Sequence, residues 1–275
     1  MQTIHAAERK IAFVLASSEH GTMILNRLDY RKNDQGQGIG LGFQILELGS
    51  FDLREVKLAL EMLLLRRKYY GDGVMAIDCG ANIGVHTVEW AKMMTNWGSV
   101  IAIEAQERIY YALAGNIAIN NCFNAIAVHG AVSSESGVMQ IPTPNYLVPG
   151  SYGSLELRQS SDNEYIGQPI DYRNLVNVRK LALDEYDLPR VDLIKIDVEG
   201  MEMEVLQGAA RSIERSRPVM LIEKIKTDAG QLRMWLEARG YTLMEAGINL
   251  LAVHSTDKLL PELTPTAQPV AQPAA

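Results

Sequence analysis

The run Val74-Met75-Ala76-Ile77-Asp78-Cys79-Gly80-Ala81-Asn82-Ile83-Gly84-Val85-His86 constrains this chain more than any other stretch. A mostly apolar segment ends in an acid, a glycine-bracketed turn follows, and a helical pattern then begins. Strands buried on both faces of a parallel sheet read as continuous apolar runs. A loop of small residues leaving such a strand lets a ligand approach the main chain. The next helix offers it unpaired N–H groups at the positive end of the dipole. The loop reads Gly80-x-Asn82-x-Gly84. That is not the G-x-G-x-x-G that lies against a pyrophosphate, and no P-loop lysine follows.

A cofactor with a nucleoside and no phosphate fits such a turn, so S-adenosylmethionine is the expectation. Gly80, Asn82 and Gly84 form the candidate cradle. Asp78 closes the strand at the carboxyl edge, where open α/β sheets bind ligands, and is placed to hold an amino group or to order the loop. His86 lies in the first turn after Gly84, within reach of a methionine carboxylate or a substrate, although a histidine there also caps or packs a helix.

Composition narrows the classes. The 275 residues carry a net charge of −7, which argues against a large phosphate-backbone footprint and so against nucleic acid. Arg66-Arg67-Lys68 is a local basic patch, but Leu63-Leu64-Leu65 before it mark a solvated helix end. Cys79 and Cys122 make no disulfide framework. The apolar run from Ile11 to Ala16 is far too short to span a bilayer. A soluble, cytoplasmic protein with no membrane insertion is expected.

Three regions are expected. Residues 1–73 read as an N-terminal cap of helix, hairpin and helix: Met1 to Ser18 looks helical, and Thr22 to Tyr30 with Ile39 to Leu48 read as strands of a hairpin. Phe51 to Tyr70 reads as a helix that Gly71-Asp72-Gly73 stops. From Val74 to about residue 256, strands and helices alternate, the pattern of a parallel sheet. The strands are Val74 to Asp78, Ser99 to Glu104, Ala125 to Val132, Asp192 to Asp197 and Pro218 to Glu223, with a helix from about Met201 to Glu214. Residues 142–175 are polar and irregular, and such long stretches are usually functional. Tyr241 to Glu245 and Asn249 to His254 are too close in sequence for a parallel crossover and must pair antiparallel. The fold class is therefore α/β, with a Rossmann-like, mostly parallel sheet closed by an antiparallel hairpin, the class I methyltransferase layout. Residues 257–275, with prolines at 261, 265, 269 and 273, read as a disordered tail.

The chemistry sits at strand ends. Glu104 ends the second strand, where such folds place an acid that accepts both ribose hydroxyls. Gln106 follows at the same edge to border the adenine, and Ala131, past the third strand, flanks its polar edge. Ile194-Lys195-Ile196-Asp197-Val198-Glu199-Gly200-Met201-Glu202 places Asp197 and Glu199 in the same crevice, with Glu223 ending the next strand. These acids suit four tasks: stabilising a sulfonium, orienting a hydroxyl, acting as base, or holding a divalent cation. Which of the four applies stays open here. Glu202 and Glu204 read more simply as complements to a helix dipole.

The stretch Ile77 to Thr87 resembles the first motif of the FkbM-type methyltransferases, and Ile194 to Glu202 resembles that family's second hallmark. Leu183-Asp184, Pro218 to Glu223 and Asn249 to His254 also fit, so the likeness spans roughly residues 74–255. Glu104-Ala105-Gln106 departs from it, since the family often has proline after the acid. The resemblance implies S-adenosylmethionine-dependent O-methylation of a sugar or natural-product hydroxyl. The expected partner is then a small-molecule or saccharide substrate; separately, the N-terminal hairpin is a candidate surface for a homodimer. A nicotinamide oxidoreductase on a similar sheet and a non-catalytic cofactor-binding module are the alternatives.

Overall fold

The computed structural model describes residues 10–33 and 35–263. In chain order the strands and helices before the central sheet are β1 (Phe13–Ser18), β2 (Gly21–Asn26), β3 (Arg31–Lys32), β4 (Gly38–Ile39), α1 (Leu41–Leu48) and α2 (Leu53–Tyr70). Then come β5 (Val74–Cys79), α3 (Val85–Met93), β6 (Gly98–Glu104), α4 (Glu107–Ile119), β7 (Ala125–His129), β8 (Ala131–Val132), β9 (Gly137–Pro142) and β10 (Leu175–Leu181). The chain continues through β11 (Leu193–Ile196), α5 (Glu202–Gly208), α6 (Ala210–Ser216), β12 (Val219–Glu223), α7 (Ala229–Glu237), β13 (Tyr241–Ala246), β14 (Asn249–His254) and α8 (Leu260–Leu263).

Seven strands form the central sheet in the order β13-β14-β12-β11-β5-β6-β7. β5, β6, β7, β11 and β12 run parallel, and β14 pairs antiparallel with both β12 and β13. This is the expected Rossmann-like, class I methyltransferase sheet with its closing hairpin. Alternate side chains of each strand feed two cores, as the pleat requires. Val74, Ala76, Leu193, Val219 and Leu221 pack with α2 and α3 on one face. Ile77, Ile194, Ile196, Met220 and Ile222 pack with Val205, Leu206, Leu232 and Leu236 on the other. The chain leaves β5 toward β6 on one side and returns at β11 on the other, so strand order reverses between them. That reversal opens a crevice at the carboxyl ends, where α/β sheets hold ligands.

The N-terminal region differs from its expectation. Residues 1–9 of the expected first helix lie outside the described residues, and Phe13–Ser18 is a strand paired antiparallel to β2 across the Glu19-His20 turn. Tertiary contacts override helix propensity here. The Asn116 side chain of α4 accepts from Ile24 N–H (2.6 Å) and donates to Ile24 C=O (3.0 Å), so an amide completes the free edge of β2. Ile39 to Leu48 is not a strand: β4 stops at Ile39, and the rest is helix α1, burying Leu41, Gly42 and Ile45. Its apolar run satisfies either period, and Gly49 decides the matter as a left-handed C-cap donating to Ile45 C=O.

Further along, Ala125 to Val132 is two strands: β8 leaves the main sheet to pair with β10, which also carries β9 antiparallel. The helix from Met201 divides at Ala209 into α5 and α6. Residues 264–275 of the expected tail lie outside the described residues. Its first part is structured, because Asp257 is buried against Arg66 and Leu259 is fully buried before α8. Among the described residues, no helix is long and apolar enough to cross a membrane.

Candidate active site

Four strands deliver an acid to one edge: Asp78 from β5, Glu104 from β6, Asp197 just after β11 and Glu223 from β12. All four line one cavity of about 430 Å³. The N-terminal region closes it through Arg31, Gln44, Phe51, Asp52 and Glu55, and the loop after β9 closes it through Ser154 and Glu164.

On one side lies the glycine turn. Gly80 has φ +76, and a Cβ there would stand 1.8 Å from the Asp197 carbonyl oxygen, so only glycine lets the β5 and β11 loops meet. Asn82, at φ 50, donates its N–H to Glu104 Oε2 (3.0 Å), and Gln106 N–H donates to Glu104 Oε1 (2.7 Å). Those bonds fix the Glu104 carboxylate at the cavity wall. Burial pushes its pKa up to about 7, against the pull of these N–H groups. Asp78 Oδ2 accepts from the Thr87 hydroxyl (2.7 Å), while its buried Oδ1 has no hydrogen-bond partner among the described residues. Burial also raises the Asp78 carboxyl, offset in part by Lys195 and Thr87.

Ala131 and His86 line the cavity as well. Burial, then the Lys195 charge, holds His86 well below the ordinary histidine range, which favours the neutral ring. Gln106 lines the cavity, but its amide is already engaged: Nε2 donates to Tyr152 C=O (2.9 Å) and Oε1 accepts from Tyr146 (3.0 Å). Gly84 differs from its expectation. It lies outside the cavity wall, at the N-cap of α3 with φ 88, and a Cβ would meet Leu113 at 2.5 Å. It makes the turn and the packing and does not face the cavity.

On the other side are the acids of the second motif. Asp197 pairs with Lys195 at 2.8 Å, and Glu199 pairs with Lys226 at 2.5 Å. Glu199 sits at φ 55, a left-handed conformation that costs about 1–2 kcal/mol for a residue with a Cβ. Its turn is held by Glu202, which is fully buried and accepts the N–H groups of Val198 (3.3 Å) and Gly200 (3.1 Å). Glu202 therefore shapes the loop, beyond complementing a dipole. Glu223 is 93% buried and its Oε2 has no hydrogen-bond partner among the described residues. Burial, then the Asp197 charge, raises its pKa to about 8. Oxygens of Asp197, Glu199 and Glu223 lie within 4.8 Å of one another, close enough to share a cation. Two of the three, however, already hold an ammonium.

Several residues of this site escape sequence reasoning. Lys195 is buried among Asp197, Glu55 and Asp78; burial pulls its ammonium down, and those charges outweigh it and hold the pKa above the usual lysine value. A lysine inside the apolar run Ile194-Lys195-Ile196 was the available signal. Glu55 accepts from Asn249 at 2.7 Å and stands 3.4 Å from His86 Nε2. Lys226 bridges Glu199 and Glu164 (2.9 Å), and Glu164 also pairs with Arg31. Asp29, buried, accepts Tyr152 N–H (3.0 Å) and Gly42 N–H (3.2 Å), tying the loop after β9 to the N-terminal region.

Comparison with known proteins gives this geometry a family. The methyltransferase FkbM domain matches residues 78–243, more than half of the chain. Methyltransferase sdnD of Sordaria araneosa is 28% identical over 153 residues, covering 48% of this chain and 59% of its own length. The crystal structure of the FkbM methyltransferase from Methylobacillus flagellatus KT superposes with a TM-score of 0.47 at 16% identity, over 69% of this chain and 48% of that one. TYW2 of M. jannaschii, crystallised with AdoMet, gives a TM-score of 0.40 at 13% identity, over 90% and 85% of the two chains. The chain thus spans about three fifths of the curated relative it matches and about half of the FkbM structure.

Proposed function

Because the chain belongs to the family of FkbM methyltransferases, we propose that it methylates a hydroxyl oxygen of a small molecule or saccharide with S-adenosylmethionine as donor. One juxtaposition carries this reading: Asp78 and Glu104, the acids suited to a nucleoside donor, share a cavity with Glu223, a buried carboxylate whose Oε2 is unpartnered. When bound, S-adenosylmethionine supplies an electrophilic methyl group on a sulfonium. The fit rests on groups that are present. Glu104 has lone pairs left for two ribose hydroxyls, and the orphaned Asp78 Oδ1 suits an ammonium. Gly80 and Asn82 bring main chain to that side, with Ala131 and Gln106 at its border and His86 toward the acceptor.

The protein's tasks are to align the acceptor oxygen, exclude water and take up a proton, and alignment supplies much of the rate. Asp197 and Glu199, each fixed by a lysine, are positioned to accept a hydrogen bond from the acceptor hydroxyl. Glu223 has no ion pair among the described residues and is the base to which the hydroxyl proton passes as the oxygen is alkylated. The paired lysines supply the positive charge that a divalent ion would otherwise bring, so this reading needs none.

Thermal shift tests the donor site and label transfer tests the reaction. S-adenosylhomocysteine at 100 times its Kd should add about 2.7 kcal/mol of stability. Labelled methyl from S-adenosylmethionine should then appear on a hydroxylated acceptor. Stabilisation by NAD with none by S-adenosylhomocysteine would replace this reading with an oxidoreductase. Binding without transfer to any hydroxylated acceptor would leave only a binding module.

A further inference from the structure

The acceptor half of the cavity holds more negative charge than its own cations satisfy. Arg31, Lys195 and Lys226 are ion-paired with Glu164, Asp197 and Glu199. That leaves Asp52, Glu55 and Glu223 on the wall with no ion pair to lysine or arginine among the described residues. Glu55 accepts from the Asn249 amide and lies beside His86, and the Lys195 ammonium that acts on it is already ion-paired with Asp197. Asp52 and Glu55 lie one turn apart at the start of α2, and Phe51 precedes them on the same wall. An aromatic ring with two carboxylates is a recognition set for an organic ammonium. A second observation points the same way: the Glu223 carboxylate, 93% buried, reaches the same cavity with Oε2 unpartnered.

We propose that the methyl acceptor carries a protonated amine, as an amino sugar or aminocyclitol does, and that Phe51, Asp52 and Glu55 bind it. This deepens the methyl-transfer reading and rests on it. The three residues lie outside residues 78–243, the stretch that matches the family, so acceptor choice is written in the chain that precedes the common domain. Uncompensated carboxylates also select by repulsion, since an anionic acceptor such as a sugar phosphate would bring like charge into a cavity that already lacks cations.

The experiment compares acceptors that differ only at nitrogen. The full chain, saturated with S-adenosylhomocysteine, is titrated with glucosamine, galactosamine and their N-acetyl derivatives, with affinities read by saturation-transfer NMR. The amines should bind at least about tenfold more tightly than their N-acetyl partners, the size of one partly desolvated ion pair. The Asp52→Asn/Glu55→Gln double variant should lose that preference while its S-adenosylhomocysteine-induced rise in Tm persists, which shows it is folded. Equal binding of amine and amide, tighter binding of the amide, no binding of either, or an unchanged preference in the double variant would overturn the proposal. Failure of S-adenosylhomocysteine itself to bind would instead sink the methyl-transfer reading beneath it.

Discussion

The α-carbon of Gly80 is pressed against the carbonyl oxygen of Asp197, so close that a Cβ would stand 1.8 Å from it. This contact locks the two motif loops together and fixes the spacing between the two sides of the cavity. Gly80→Ala would force the loops apart and place an alanine at φ +76. The expected outcome is a lower Tm and a loss of at least about tenfold in S-adenosylhomocysteine affinity, about 1.4 kcal/mol, by calorimetry. Wild-type affinity in that variant would show that the contact does not shape the donor site.

In the proposed reaction Asp197 works on the acceptor side. Asp197→Ala should cut kcat by about 100-fold or more while S-adenosylhomocysteine affinity changes far less. Asp197→Asn keeps a partner for the buried Lys195 and should show the same split with less effect on stability. Unchanged turnover in both variants removes Asp197 from the catalytic group.

The Glu223 carboxyl is pushed up to about 8, first by burial and then by the Asp197 charge. A base must be unprotonated, so kcat/KM should rise with pH through about 8 and level off above it. Glu223→Gln should abolish that limb. The stability sign is also fixed. A carboxyl raised above its ordinary value binds more protons folded than unfolded, so its contribution is full below about 4.5 and is lost as pH climbs toward 8. Glu223→Gln should therefore gain Tm relative to wild type between pH 5 and pH 9 (roughly the window that linkage sets). A constant Tm difference across it would contradict the buried, uncompensated carboxylate.

At the opposite edge of the sheet, Arg66 is buried between Asp192 (2.9 Å) and Asp257, tying α2 to β11 and to the segment after β14. Breaking a buried ion pair that strands a partner charge costs about 3–5 kcal/mol; here Asp257 loses its cation, whereas Asp192 keeps Arg190 at 2.7 Å. Arg66→Met should lower Tm by roughly 10 °C in a chain of this size. Once folded, it should bind S-adenosylhomocysteine as wild type does. A shift within 2 °C (about the size of a surface substitution) would mean the triad contributes little.

The central sheet was legible because its strands are uninterrupted apolar runs that end in acids, and the carboxyl edge collects whatever ends them. Asp78, Glu104, Asp197 and Glu223 could therefore be placed in one crevice from sequence alone. In the N-terminal region the helix that ends at Tyr70 before Gly71 was legible, but the elements before it were not. Ile39 to Leu48 satisfies both the strand and the helix period, and only Gly49 separates them. Glu55 reads as an ordinary first-turn helix acid, and nothing in its neighbours reports Asn249 far along the chain or His86 across the cavity. Gly84 was misplaced for a related reason: a positive φ and a close contact both demand glycine, and spacing cannot say whether the contact is a ligand or Leu113.

The central claim is that strand-tip carboxylates grip a phosphate-free nucleoside donor, and Glu104 is its most exposed point. Calorimetric titration of S-adenosylhomocysteine into wild type and Glu104→Ala tests it directly. Binding by wild type that weakens at least about tenfold in the variant is expected, since hydrogen bonds to a charged group contribute about 1.5–3 kcal/mol. Equal affinity in the two proteins, or no affinity in wild type, would contradict the account.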